Sequence, residues 1–212
     1  MTPFFRNLVL TTICLSSGWT LAASPDEVIR PLQDQWASIK YQKDEKQHGE
    51  LYHVLALEAR KVAESHPQQA EPLVWEGIAL SSEAGAKGGL GALSLAKQAK
   101  QRFDEAIALN DKALDGSAYT SLATLYAKVP GWPLGFGSQT KAEELFKKSL
   151  AINPTGIDAN YFYGEFLADQ GRAPEAINHL QTALKAPARA GRELADKGRR
   201  QEIEALLKKL KP

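Results

Sequence analysis

Cysteine is almost missing from this sequence: of 212 residues only Cys14 carries a thiol. It lies in a leading segment that reads as a secretory signal. Arg6 gives the positive start, Leu8 to Leu15 an apolar run, and Leu21-Ala-Ala23 a small-residue cleavage site. Cleavage after Ala23 leaves a chain without cysteine, which excludes a disulfide framework and thiol chemistry. The apolar run is too short to span a bilayer. Ile13 stands before Cys14, with Thr11 and Thr12 before it, where a lipid-anchored protein needs a small residue. A soluble periplasmic protein without a membrane anchor is therefore expected. Net charge is missing too. Lys and Arg number 26 against 25 Asp and Glu, and loss of Arg6 brings the mature chain to neutrality. That balance argues against nucleic acid as a partner.

Catalytic and metal-binding constellations are equally scarce. The four histidines are His48, His53, His66 and His179. His48 and His53 are five apart, off the spacing that shares one helical face, and no carboxylate completes a metal set. Both are expected at the surface. Ser81, Ser82 and Ser117 have no histidine at a readable spacing, so no catalytic residue is assigned. The glycine run from Ala84 to Gly91 contains Lys87, but Gly88 follows where a phosphate loop needs Ser or Thr. No strand precedes the run, so it is no dinucleotide fingerprint; an extended turn between helices is expected. No cofactor is expected, and the chain is read as a non-enzyme.

What the sequence has in quantity is helical periodicity, and strand-like alternation never lasts beyond a few residues. Val28, Ile29, Leu32, Trp36 and Ile39 recur at helical spacing behind Ser24, Asp26 and Glu27, which suit a helix start. The polar stretch Lys40 to Gly49 interrupts the pattern. Leu51, Leu55, Ala59 and Val62 then mark a second helix that ends before His66-Pro67. Further on, Ala142, Phe146, Ser149 and Pro154 recur 34 residues later as Ala176, Leu180, Ala183 and Ala188. A fixed period of that length, with small residues among large apolar ones, marks a helical solenoid.

The helix pair running from Ile157 to Ala186, turning at Asp169-Gln-Gly171-Arg172, resembles the tetratricopeptide repeat and matches its spacing without insertion. The resemblance implies an all-α, right-handed helix-turn-helix solenoid. Its single domain, residues 24–212, would comprise a degenerate first repeat (about 26–67) and repeats at about 70–113, 116–155 and 157–188. Ile203, Leu206, Leu207 and Leu210 suit a capping helix at about 199–210, after a basic connection from Pro187 to Gly198.

In tetratricopeptide arrays the first helix of each repeat lines the concave groove. The resemblance thus implies groove positions at Ser117, Thr120, Thr124 and Lys128, and at Asp158, Tyr161, Glu165 and Asp169. Asn160 departs from the apolar residue preferred there; buried, it must find partners, which the loop carbonyls before it are placed to supply. The segment Val129 to Gly137 holds two prolines and three glycines that forbid a helix. It also holds Trp132, Leu134 and Phe136, which a solvated loop does not use. Trp132 and Phe136 are either a plug between repeats or a binding element.

The signal segment, the short array, the Pro130-Gly-Trp-Pro133 loop and the stretch Asn153 to Phe166 together are similar to the T component family of TPR-associated TRAP transporters, over roughly Leu73 to Leu210. That likeness implies docking to a periplasmic solute-binding protein and handling of an apolar ligand. Two functions follow as expectations: a scaffold holding a partner protein or peptide, and a carrier with an apolar cavity beneath Trp132 and Phe136. A second copy of this chain is admitted as a partner.

Overall fold

The computed structural model describes residues 24–210; the segment read as a signal peptide lies outside the described residues. Among the described residues there are nine α-helices: α1 (Pro25–Gln42), α2 (Glu45–Ser65), α3 (Ala70–Lys87), α4 (Gly89–Leu109), α5 (Ser117–Lys128), α6 (Gln139–Ile152), α7 (Ile157–Asp169), α8 (Ala173–Leu184) and α9 (Glu193–Leu210). Consecutive helices pack as hairpins, α1 with α2 through α7 with α8, and each pair stacks on the next. The all-α solenoid expected from the sequence is what the chain forms.

Local chemistry sets the helix starts. Ser24 and Glu27 form a reciprocal capping box at α1, with Ser24 N donating to Glu27 Oε2 at 2.8 Å. Asp44 caps α2 by accepting from Lys46 N at 2.9 Å. The polar stretch at 40–49 therefore costs the chain only the two residues Lys43 and Asp44 before helix resumes.

Small residues against large ones hold the stack. Ala59, Ala99, Ala106, Ala142, Ala176 and Ala183 are fully buried, as are Phe103, Phe146 and Leu180. A Cβ on Gly77 of α3 would lie 2.5 Å from Phe103 Cε1 of α4, and one on Gly164 of α7 would lie 3.0 Å from Leu180 Cγ of α8. In both pairs the missing side chain lets the backbone of the first helix rest on a large residue of the second. Each such buried side chain contributes about 1.5–3 kcal/mol.

The structure departs from the sequence reading at three places. Residues 84–91 are not an extended turn. α3 continues through Lys87, and Gly88 alone, at φ +60, precedes α4. Alanine-rich sequence and the α3/α4 packing outweigh the cost of Gly85 and Gly91 inside helices. Next, α9 begins at Glu193 rather than near residue 199. Its buried face is Ala195, Asp196, Gly198, Arg199 and Ile203, small or charged residues that hydrophobic periodicity does not register. Finally, His53 is half-buried, with Nδ1 3.0 Å from Oε1 of the buried Glu83.

Asn160 finds the partners it needs. Its Nδ2 donates to Pro154 O at 2.9 Å and Gly156 O at 3.0 Å, and its Oδ1 meets His179 Nδ1 at 2.9 Å.

α9 does more than cover the last pair. Ile203 joins Ile157, Tyr161, Leu180 and Ala183 in a small terminal core. The other flank of α9, and the chain just before it, reach α1. Arg30 Nη1 donates to Ala190 O at 2.9 Å, Tyr41 Oη donates to Glu202 at 3.3 Å, and Lys40 pairs with Glu202 at 3.4 Å. The stack is thereby closed from its last helix back to its first.

Candidate functional site

That closure borders a half-open concavity of about 760 Å³. Trp36 of α1, Trp75 and Ile78 of α3, Leu93 and Ala96 of α4, and Phe162 of α7 contribute its apolar wall, and Leu134 of the 129–138 loop stands at its rim. Trp36 and Trp75 meet edge to face with ring centroids 6.4 Å apart.

Several hydroxyls in this wall are already engaged. Ser81 donates to Gly77 O and Ser82 to Ile78 O, each at 2.8 Å, and Ser82 Oγ accepts from Trp36 Nε1 at 2.9 Å. Thr124 donates to Thr120 O at 2.9 Å, and the Thr120 and Ser149 hydroxyls lie 2.5 Å apart. Such i to i−4 bonds turn serine and threonine back onto their own helix. The wall therefore behaves as largely apolar.

Charge is concentrated along one side. Asp158 accepts from Arg189 Nη1 and from Arg199 Nε, both at 2.8 Å. Arg189 also pairs with Asp196, and Arg199 with Glu202, each at 2.6 Å. Burial pushes the Asp158 carboxyl upward, but the Arg199 and Arg189 guanidinium groups more than offset this and hold it far below the usual carboxylate range. Arg192 differs from its neighbours. Its guanidinium lies over the Trp75 ring, 5.3 Å from the centroid, and has no carboxylate partner among the described residues. Burial, and then the charge of Arg189, push its pKa down.

The residues expected at the site divide. Thr120, Thr124 and Lys128 line the cavity, as do Ser117 and Asp158. Glu165 and Asp169 engage Lys128 Nζ at 3.4 and 2.7 Å. Tyr161 does not reach the groove: it is buried in the terminal core, and Arg199 covers its ring with Cζ 4.3 Å from the centroid. A guanidinium has taken the wall position that the repeat pattern gives to tyrosine. Trp132 and Phe136 also part company. Phe136 is half-buried, 5.4 Å from the Tyr126 ring, whereas Trp132 is 89% exposed and neither plugs the repeats nor lines the cavity. Neither aromatic roofs the cavity.

Sequence reasoning missed Trp75 and Phe162, placed Trp36 only on a helical face, and missed the arginines at 189, 192 and 199. The only available signal was the basic character of the 187–198 connection. Among the described residues no three His, Cys, Asp or Glu side chains group closely enough to hold a metal ion, and no helix is long and apolar enough to cross a membrane.

No curated protein matches the chain. Among solved structures, the crystal structure of MamA aligns with a TM-score of 0.45 at 19% identity, covering 79% of this chain and 91% of MamA. TTC0263, a thermophilic TPR protein in Thermus thermophilus, aligns with a TM-score of 0.45 at 15% identity, covering 86% of this chain and all of that one. Residues 137–210, which contain α6 through α9, match the family model described as Tetratricopeptide repeat.

Proposed function

We propose that this protein works by binding, as a carrier that holds a mainly apolar small ligand in the concavity between α1, α3, α5 and α7. The single observation behind this reading is the large, mainly apolar concavity itself. About 760 Å³ falls within the ~300–1,000 Å³ typical of small-molecule sites, and α9, packed on α1, contributes to its wall. The test is native mass spectrometry of protein purified without detergent, beside titration with a solvatochromic apolar dye. A ligand-sized mass and a dye signal that Ile78→Asp abolishes in a folded protein are expected. No adduct and no dye binding would end the carrier reading.

A second reading, a scaffold for a partner protein, is favoured by a different observation. Trp132 is 89% and Leu134 72% exposed on one short loop, and paired exposed apolar side chains of that size serve docking. Repeats of this kind generally serve protein interaction, so the loop is the proposed contact point for a partner, such as a solute-binding protein. Export to the periplasm and service beside a TRAP-type transporter extend the same proposal. The capping box that opens α1 is complete from Ser24 onward, which suits a mature chain beginning there. N-terminal sequencing of the exported protein should read Ser24 first; an intact Met1 on the cytoplasmic protein would overturn it.

A further inference from the structure

The carrier reading leaves one cation of the cavity unexplained. Lys128, Arg189, Arg192 and Arg199 all line the space. Lys128 is met by Glu165 and Asp169, Arg189 by Asp158 and Asp196, and Arg199 by Asp158 and Glu202. Arg192 alone has no carboxylate among the described residues. The charges that bear on it are Arg189 and Arg30, which repel, and Asp158 and Asp196, which attract but are already engaged by other arginines. Asp115, the remaining acid of the wall, is exposed and is not among those charges.

A second polar group faces the same space. Gln33 is only 7% exposed, lines the cavity, and makes no side-chain hydrogen bond among the described residues. It sits on α1 one turn beyond Arg30, whose guanidinium holds Ala190 O, so it lies on the part of α1 nearest to the Arg192 segment. An amide that opens onto the cavity and a guanidinium without a carboxylate thus face the same space, beside the Trp75 indole N–H, which is buried without a partner among the described residues. A bound group that meets such donors is favoured there.

We propose that the carried ligand is an amphiphile with a single carboxylate head, received by Arg192 over the Trp75 ring and by Gln33, with its apolar body lying along Ile78, Leu93 and Phe162. This rests on the carrier reading and names its ligand class. A guanidinium stacked on an indole keeps its N–H edge free for both oxygens of one carboxylate. An acidic peptide fits less well. Its backbone would need donors and acceptors along the whole wall, where Ser81, Ser82 and Thr124 are turned onto their own helices.

Decanoate and decanol differ only at the head and can be titrated calorimetrically at pH 7.5 into wild type, Arg192→Gln and Arg192→Lys. Wild type should bind decanoate at least about tenfold more tightly than decanol, as a charge-assisted pair allows. Arg192→Gln should erase that difference while still binding decanol. A decanoate preference that survives Arg192→Gln overturns the head assignment and leaves the carrier reading standing. Wild-type binding of both probes with no preference does the same. Failure of wild type to bind either probe overturns both proposals. If Arg192→Gln loses both probes, Arg192→Lys decides: restored preference for decanoate supports the assignment, and no preference overturns it.

Discussion

Gly198 of α9 lies directly against the Tyr41 ring of α1, so that a Cβ on Gly198 would stand 2.5 Å from Tyr41 Cζ. Only a residue without a side chain lets the last helix approach the first this closely. Enlarging it should open the ring. Gly198→Val is expected to cost ~1–3 kcal/mol by overpacking and to abolish dye binding in the cavity, read by chemical denaturation and fluorescence. Wild-type dye affinity in a protein that remains destabilised would show that the cavity does not depend on this contact.

The repeat register makes its own prediction. Ala176 is fully buried where α7 and α8 meet, and a Cβ on Gly164 would already lie 3.3 Å from Ala176 O. Ala176→Leu should therefore lower stability by ~1–3 kcal/mol. Unchanged denaturation would mean that α8 can move away from α7 without loss.

Acid should weaken the charged wall. Asp158 is depressed in the folded chain by Arg199 and Arg189, against ~3.9 when unfolded. Its stabilisation is thus fully present above about pH 4 and is lost as pH falls through the lower native value. Glu143, held at about 2 by Arg172 and Lys147, loses its contribution over the same window. Asp158→Asn is expected to cost about 2 kcal/mol at pH 7 and to flatten the fall in stability between pH 4 and 2. Parallel wild-type and variant pH profiles would count against the assignment.

For the exposed loop the expectation is the reverse. Trp132→Ala removes a ring that packs on little, so stability should change by less than ~0.5 kcal/mol. Affinity for a docking protein should fall by ~2 kcal/mol or more if that ring is an anchor. A loss of several kcal/mol in stability would contradict the observed exposure.

The site was only partly legible in the sequence. Thr120, Thr124 and Lys128 could be placed on the wall because helical spacing and the repeat pattern share one geometry. Two of the partners of Asn160 were legible too, because Pro154 and Gly156 are its near neighbours in the chain, whereas His179 was not. Tyr161 was misplaced because Arg199, which covers it, comes from a helix whose start the apolar pattern did not reveal.

By itself the sequence determined that the chain is all helical, that its helices pair as hairpins and that small residues are set among large ones, since periodicity and residue size act over short spans of chain. Only the tertiary structure decided that the stack closes, that Trp36, Trp75 and Phe162 share one cavity, and that Arg192 is left without an acid while Arg189 and Arg199 share Asp158. Those relations join residues far apart in the chain. Which cation reaches Asp158 depends on the packing of α9 and the chain before it against α7, while closure depends on the contact of α9 with α1 made by Gly198, Tyr41 and Glu202.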